Sequence, residues 1–174
     1  MTSKKFLRCL ANGETDAVQI LLALLTEIGS EYCVIGGLAV NAYADPVVSL
    51  DLDLVVISGR VGDLRAAAEA KGIRVQEFEH SVNLFVPGSD LRIQVQTDPR
   101  YQPFISRSQR RAVLGYEMSV AALEDVLRGK LWAFSDETRR KSKRQKDLSD
   151  IMRLGETHPE LKSRIPAEIV AQLD

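Results

Sequence analysis

Only two cysteines, Cys9 and Cys33, occur in the 174 residues. Two thiols make no disulfide framework, and Cys33 lies in an apolar stretch where a reduced thiol behaves as a small hydrophobe. Long apolar runs are also missing. The longest uninterrupted one, residues 20–25, is far shorter than the ~20 residues a membrane-spanning helix needs. The opening MTSKKFLRCLANGE carries lysines but no apolar segment, so it does not read as a secretory signal. Neither sign of charge prevails: 23 Lys and Arg against 24 Asp and Glu leave a net charge of -1. Composition therefore points to neither nucleic acid nor a membrane surface. There is no internal repeat, no low-complexity tract and no convincing linker. These absences imply a soluble, cytoplasmic protein without a membrane partner. They also imply a single domain over residues 1–174, with a sheet-containing core at about 15–118 and a helical part at about 119–174.

The patterns that are present give a mixed set of elements. Val18, Leu21, Leu22, Leu25 and Ile28 recur at three and four, which predicts a helix over 15–28 stopped by Gly29. Residues 32–35 read as a strand, followed by Gly36-Gly37 and a short helix over 38–42. A strand follows over 50–57, then an alanine-rich helix over 61–71 ended by Gly72. Strands are predicted at 73–78, 82–86 and 91–96, the last two joined by the turn Pro87-Gly88-Ser89. Residues 97–111 read as a polar loop and 116–120 as a further strand. Helices follow at 120–134, 147–154 and 166–173. The fold class is α+β: a mixed β-sheet flanked by helices, with a helical C-terminal part.

Within the apolar strand 50–57 stand two aspartates, Asp51 and Asp53. Residues two apart on a strand face the same way, so the carboxylates lie side by side while Leu52, Leu54 and Val56 face the other side. Such a pair sits either at a wet strand end or half-exposed face, or where one divalent cation, or two roughly 3.5–4 Å apart, relieve the repulsion. The unalternating run Leu54-Val55-Val56-Ile57 argues for cover on both faces. Gly36-Gly37 precedes Asp51 between a strand and a helix. Glycines there let a backbone approach a ligand closely, and a helix start offers amide donors to phosphate.

Three features follow in the helical part. Lys130 falls near the centre of an apolar stripe formed by Leu123, Val126, Leu127, Leu131 and Phe134. It either snorkels or carries its ammonium to a charged pocket. The segment RRKSKRQK over residues 139–146 holds six cations in eight residues. It is either a solvated face or a phosphate-binding surface for a triphosphate or an RNA backbone, and it has no interleaved aromatic for base stacking. In Lys146-Asp147-Leu148-Ser149-Asp150, the predicted helix places Leu148, Ile151 and Met152 on one face. Asp147 lies at the border of that face, and Asp150 lies further round, towards solvent or Arg153.

GGLAVNAYADPVVSLDLDLVV resembles the nucleotidyltransferase superfamily of polymerase-beta-like fold, whose Gly-Gly or Gly-Ser turn precedes an Asp-x-Asp pair. It is most similar to the AbiEii-type toxin families. Those families also carry a lysine followed by Ser/Thr and Arg, which Lys130, Ser135 and Arg139 or Arg140 resemble, and a basic-Asp-x-x-Asp motif, which Lys146, Asp147 and Asp150 resemble. The resemblance covers about residues 31–57 and 119–155. It implies transfer of a nucleoside monophosphate from an NTP, with Asp51, Asp53 and Asp147 as catalytic residues. Mg2+ (or Mn2+) would be held by Asp51 and Asp53, and nucleotide by Gly36, Gly37, Lys130, Ser135, Arg139 and Lys146. The acceptor implied is an RNA such as tRNA, met by the cluster from Arg139 to Lys146, in a toxin–antitoxin setting with a cognate antitoxin as partner. A lincosamide-type antibiotic nucleotidyltransferase, or an inactive nucleotide-binding module, are the alternatives.

The chain departs from the superfamily on strand 91–96, where many members place a third carboxylate. Here that position is Gln94, whose amide can coordinate a metal but cannot act as a general base. The final Asp, Lys and Asn-Tyr motif of the toxins is also absent from the C-terminal stretch.

Overall fold

The computed structural model describes residues 2–171. Helices α1 (Ser3–Leu10) and α2 (Ala17–Glu27) lead into strand β1 (Tyr32–Ile35), the five-residue helix α3 (Gly36–Val40) and strand β2 (Asp51–Val56). Next come α4 (Val61–Ala70), β3 (Arg74–Phe78), β4 (Ser81–Phe85) and β5 (Arg92–Gln96). A short helix α5 (Pro103–Ser106), the strands β6 (Gln109–Val113) and β7 (Tyr116–Val120), and helices α6 (Leu123–Ser135), α7 (Lys141–Thr157) and α8 (Ala167–Val170) complete the order.

One seven-stranded sheet runs in the order β3-β4-β5-β2-β1-β7-β6. Two pairings, β2 with β5 and β1 with β7, are parallel and the others antiparallel. Parallel neighbours need crossovers, and α4 and α2 pack together among the helices that cover the sheet. The central strands are covered on both faces. Leu52, Leu54, Val55 and Val56 of β2 are fully buried, as the unalternating run predicted. The α+β class and the mixed sheet flanked by helices are therefore observed, with helices closing the chain after β7.

Several boundaries differ from the sequence pattern. Residues 3–10, for which no helix was predicted, form α1: the Thr2 hydroxyl accepts from the Lys5 amide, and Leu7 is buried. Residues 97–111 are not a polar loop. Asp98 caps a 3-10 turn that starts at Pro99, and α5 and β6 follow. Their apolar residues Tyr101, Phe104 and Ile105 are buried. Tyr101 and Phe104 pack on Trp132 of α6 with ring centroids 5.2 and 5.7 Å away, a long-range contact that local polarity hides. The β6–β7 hairpin turns at Leu114-Gly115, both at positive φ, the two-residue turn that suits the strand twist.

Helix α7 begins six residues before the predicted position, at Lys141, so most of the basic segment is helical. Its inward face is Asp147, Asp150, Ile151 and Leu154, not Leu148, Ile151 and Met152. The predicted face followed hydrophobicity alone, whereas two acids turn inward to meet a buried lysine on α6. The predicted helix at 166–173 is observed as α8, and residues 172–174 lie outside the described ones.

Candidate active site

Strand β1 ends at Ile35, and the chain turns sharply at Gly36, where φ is +69°. A side chain at this position would collide with the Asp53 carboxylate. Glycine is thus required here twice, by backbone conformation and by the approach of Asp53. Gly37 lies beside another acid, since an added Cβ there would be 3.8 Å from an Asp150 oxygen.

Asp53 and Gln94 are direct partners across β2 and β5, and both line a recess with Gly36, Lys130, Arg139 and Asp147. Gln94 therefore sits beside the aspartate, on the face where the superfamily pattern calls for a third carboxylate. The neighbouring rung pairs Asp51 with Arg92. Arg92 donates from Nε at 2.9 Å and from Nη2 to the same Asp51 oxygen, and Lys143 of α7 approaches the other oxygen at 3.4 Å. Partial burial pushes the Asp51 carboxyl up, but Arg92 and Lys143 outweigh it and hold the group below the usual range. Asp53 has neither a hydrogen bond nor an ion pair among the described residues. Burial is the main influence on it and raises its carboxyl above the usual range, although the Lys130 charge works the other way.

Lys130 does not snorkel. Only 7% of it is exposed, and its ammonium lies 3.0 Å from Asp147 Oδ1 and 2.7 Å from Asp150 Oδ2. Burial works against its charge, but Asp150 and Asp147 prevail and raise it above the ordinary lysine value. Arg139 Nε donates to Asp147 Oδ2 at 2.7 Å, so both oxygens of that carboxylate are engaged. Arg153 donates to Asp150 at 2.8 Å. Asp150 is thus buried, not solvent-facing, and the predicted alternative partner Arg153 is on it.

The basic segment divides. Arg139 and Lys143 turn to Asp147 and Asp51, and Arg144 donates to the Phe134 carbonyl at 2.7 Å. Arg140, Lys141 and Lys146 are exposed, so Lys146 is not in the recess. Ser135 lines an adjoining open groove of about 460 Å³ with Asp98, Arg100, Trp132 and Arg139; the groove shares Gln96, Tyr101, Ala133 and Arg139 with the recess.

Two features of the site are not evident from the sequence. Asp125, at the start of α6, is buried against the recess and takes two hydrogen bonds from Arg107, at 2.8 and 2.9 Å, and one from Arg128 at 3.1 Å. An acid in the first turn of a helix is ordinary, so nothing local signals burial. The strand period puts Arg92 on the Gln94 face, but its bond to Asp51 depends on β5 lying next to β2.

Among the described residues no group of three or more His, Cys, Asp or Glu side chains could hold a metal ion. The residues still fit a magnesium-like cation, which is commonly bound by one or two carboxylates together with substrate phosphates. The observation that fits it is Asp53, an oxygen donor with raised carboxyl and without a protein cation on it.

No protein-family model matches the chain, and no curated protein is a significant match. Solved structures are similar to it. The antibiotic-resistance factor ANT(2'')-Ia in solution is 16% identical, over 89% of this chain and 94% of that one, with a TM-score of 0.57. The lincosamide antibiotic adenylyltransferase LnuA, with lincomycin bound, is 10% identical over 82% and 99%, with a TM-score of 0.56. A putative nucleotidyltransferase from Thermotoga maritima is 15% identical over 86% and 96%, with a TM-score of 0.54. At these identities the likeness is one of fold: the chain has a nucleotidyltransferase-like fold. No helix among the described residues is long and apolar enough to cross a membrane.

Proposed function

We propose that the protein transfers a nucleoside monophosphate from an NTP to an acceptor hydroxyl, at the recess between β2, β5, α6 and α7. The observation that carries this reading is Asp53. It is a part-buried carboxylate without a hydrogen-bond or ion-pair partner among the described residues, set against a glycine that leaves it room and beside two cationic side chains. Burying such a charge is unfavourable unless a ligand completes it.

Asp53 and Asp51, with the Gln94 amide oxygen, would hold a Mg2+ or Mn2+ ion. Bound there, that ion supplies positive charge to the phosphates and acidifies the acceptor hydroxyl. Gly36 keeps the backbone clear of the carboxylate. Arg139, part-exposed at the mouth of the recess, neutralises phosphate charge, and Lys130 holds the α7 acids beneath it. The acceptor oxygen bonds to the α-phosphorus, the bond to the bridging oxygen breaks, and pyrophosphate leaves. The hydroxyl proton passes to water, because Gln94 has no basic atom and both Asp147 oxygens are engaged. In this reading Asp147 positions Lys130 and Arg139 and is not the base. Without a protein base, transfer is slower by a factor on the order of 10²–10⁴.

The acceptor this reading favours is a small molecule, comparable in size to the lincomycin that LnuA binds. The adjoining groove of about 460 Å³ is of a size for it. A second reading keeps an RNA such as tRNA as acceptor, and with it an AbiEii-type toxin role and a cognate antitoxin. It rests on Arg140, Lys141 and Lys146, exposed together on and beside α7. The domain boundary proposed is the whole chain, with the recess at the junction of its sheet and helical parts.

The test is label transfer. Each of four NTPs labelled at the α-phosphate is incubated with Mg2+ and either total RNA or a panel of aminoglycosides and lincosamides. Label in a small molecule, lost in Asp53→Asn, is the expected result. Label in RNA alone selects the second reading, and label in no acceptor overturns both.

A further inference from the structure

We infer that the carboxylate pair holds one divalent cation, centred on Asp53, and that the Arg92 guanidinium takes the place of a second. This rests on the transfer reading above. It starts from the sheet register. Asp51 and Arg92 are Cα partners on adjacent parallel strands, and Asp53 and Gln94 are partners on the next rung of that face. Backbone pairing therefore holds a fixed positive charge against one aspartate and a neutral amide against the other.

The two rungs differ in what they offer a metal. One Asp51 oxygen accepts two bonds from Arg92, and the other faces Lys143 at 3.4 Å. A second divalent ion bridging the pair would sit against that guanidinium, and like charges in one site oppose each other. Lys143 reaches Asp51 from α7 by one contact at 3.4 Å, whereas Arg92 is the Cα partner of Asp51 and holds its oxygen by two bonds, so Lys143 gives way before Arg92 does. At Asp53 no protein cation intervenes among the described residues, and Gln94 adds an uncharged oxygen donor without adding the negative charge that a second ion needs.

The chemistry tolerates the exchange. Two-metal centres place positive charge on both the attacking and the leaving oxygens of an in-line displacement. An arginine clamp supplies charge to a transferring phosphoryl group in the same way. Arg92 has the means: its side chain is 43% exposed and its Nη1 has no bond among the described residues, so it keeps donors for a phosphate oxygen while holding Asp51.

Counting bound Mn2+ by electron paramagnetic resonance tests this, with the full chain and a non-hydrolysable α,β-methylene NTP analogue. Wild type is expected to hold one Mn2+ per chain in the ternary complex. Arg92→Gln combined with Gln94→Asp is expected to hold two, with the spin–spin broadening of ions about 3.5–4 Å apart. Arg92→Lys keeps the charge and stays at one. Two Mn2+ in the wild-type complex, or one in the double variant with its circular dichroism intact, overturns the inference and leaves the transfer reading standing. No bound Mn2+ in wild type, with or without nucleotide, overturns the transfer reading itself. The wild-type count decides even where the double variant does not fold.

Discussion

Asp147 and Asp150 lie deeper in the protein than Asp51 and Asp53, yet the deeper acids are the better supplied with cations. Lys130 reaches both, and Arg139 and Arg153 take one each. On the strand, Arg92 and Lys143 both go to Asp51, and Asp53 is left without an ion pair among the described residues. One acid of each group, Asp53 and Asp147, lines the same recess, so the contrast is not one of location alone. The helix cluster is closed on itself and joins α6 to α7, two helices in extensive contact. The strand pair is closed at one end and open at the other. A completed network fastens a structure, whereas a part-buried charge without a partner is the mark of a site that a ligand completes.

The largest break in this comparison is expected from Lys130→Met. The apolar stem is nearly conserved, so the sequence alone suggests that packing survives and only nucleotide binding suffers. The structure predicts more, because the change leaves Asp147 and Asp150 buried with one cation fewer. Removing one partner of a buried ion pair costs about 3–5 kcal/mol, a fall in melting temperature of roughly 6–20 °C for a domain of this size. Thermal unfolding followed by circular dichroism reads it. A shift under about 2 °C, the low end of what 1 kcal/mol produces, would mean that the α6–α7 cluster does not fasten the helices.

Gly36→Ala should be next in size and falls on the open side. A side chain in the left-handed region costs roughly 1–2 kcal/mol. Here the new methyl group also displaces the Asp53 carboxylate. The expected result is a melting temperature lower by roughly 2–8 °C together with loss of metal-dependent NTP binding in calorimetry. Lost stability with normal Mg-NTP affinity would separate the glycine from the site.

Lys146→Gln should do least. Lys146 is exposed on α7, and surface changes of this kind stay within about 0.5 kcal/mol. It serves to sharpen the choice of acceptor. If RNA is bound through this face, the variant lowers the salt dependence of RNA binding by about one ion. If the acceptor is a small molecule, transfer is unchanged.

The strand half of the candidate site was legible in the sequence and the helix half less so. A period of two puts Asp51 and Asp53 on one face, and Gly36-Gly37 at the end of an apolar strand marks a close approach. Both are local signals, and β1 and β7 have the bounds that the apolar pattern predicts. The inward face of α7 was not legible from its hydrophobicity, because half of it is acidic. Its true signal was Lys130, one buried cation on the preceding helix that required acids opposite. The bond between Arg92 and Asp51 depends on strand order, and the burial of Tyr101 and Phe104 depends on Trp132, far along the chain on α6. Both are tertiary facts that no local window carries.

The proposed function stands on an Asp53 left open for a metal-bound nucleotide. It is tested most directly by the melting temperatures of wild type and Asp53→Asn, each measured without ligand and with saturating Mg2+ and a non-hydrolysable NTP. Burial opposes the charge on Asp53, so the neutral amide should raise the ligand-free melting temperature. Ligand at about 100 times its Kd stabilises a specific binder by about 2.7 kcal/mol, and wild type should show a shift of that order. Asp53→Asn is expected to start higher and to gain nothing from Mg-NTP. A variant that starts no higher and gains as much as wild type would contradict it.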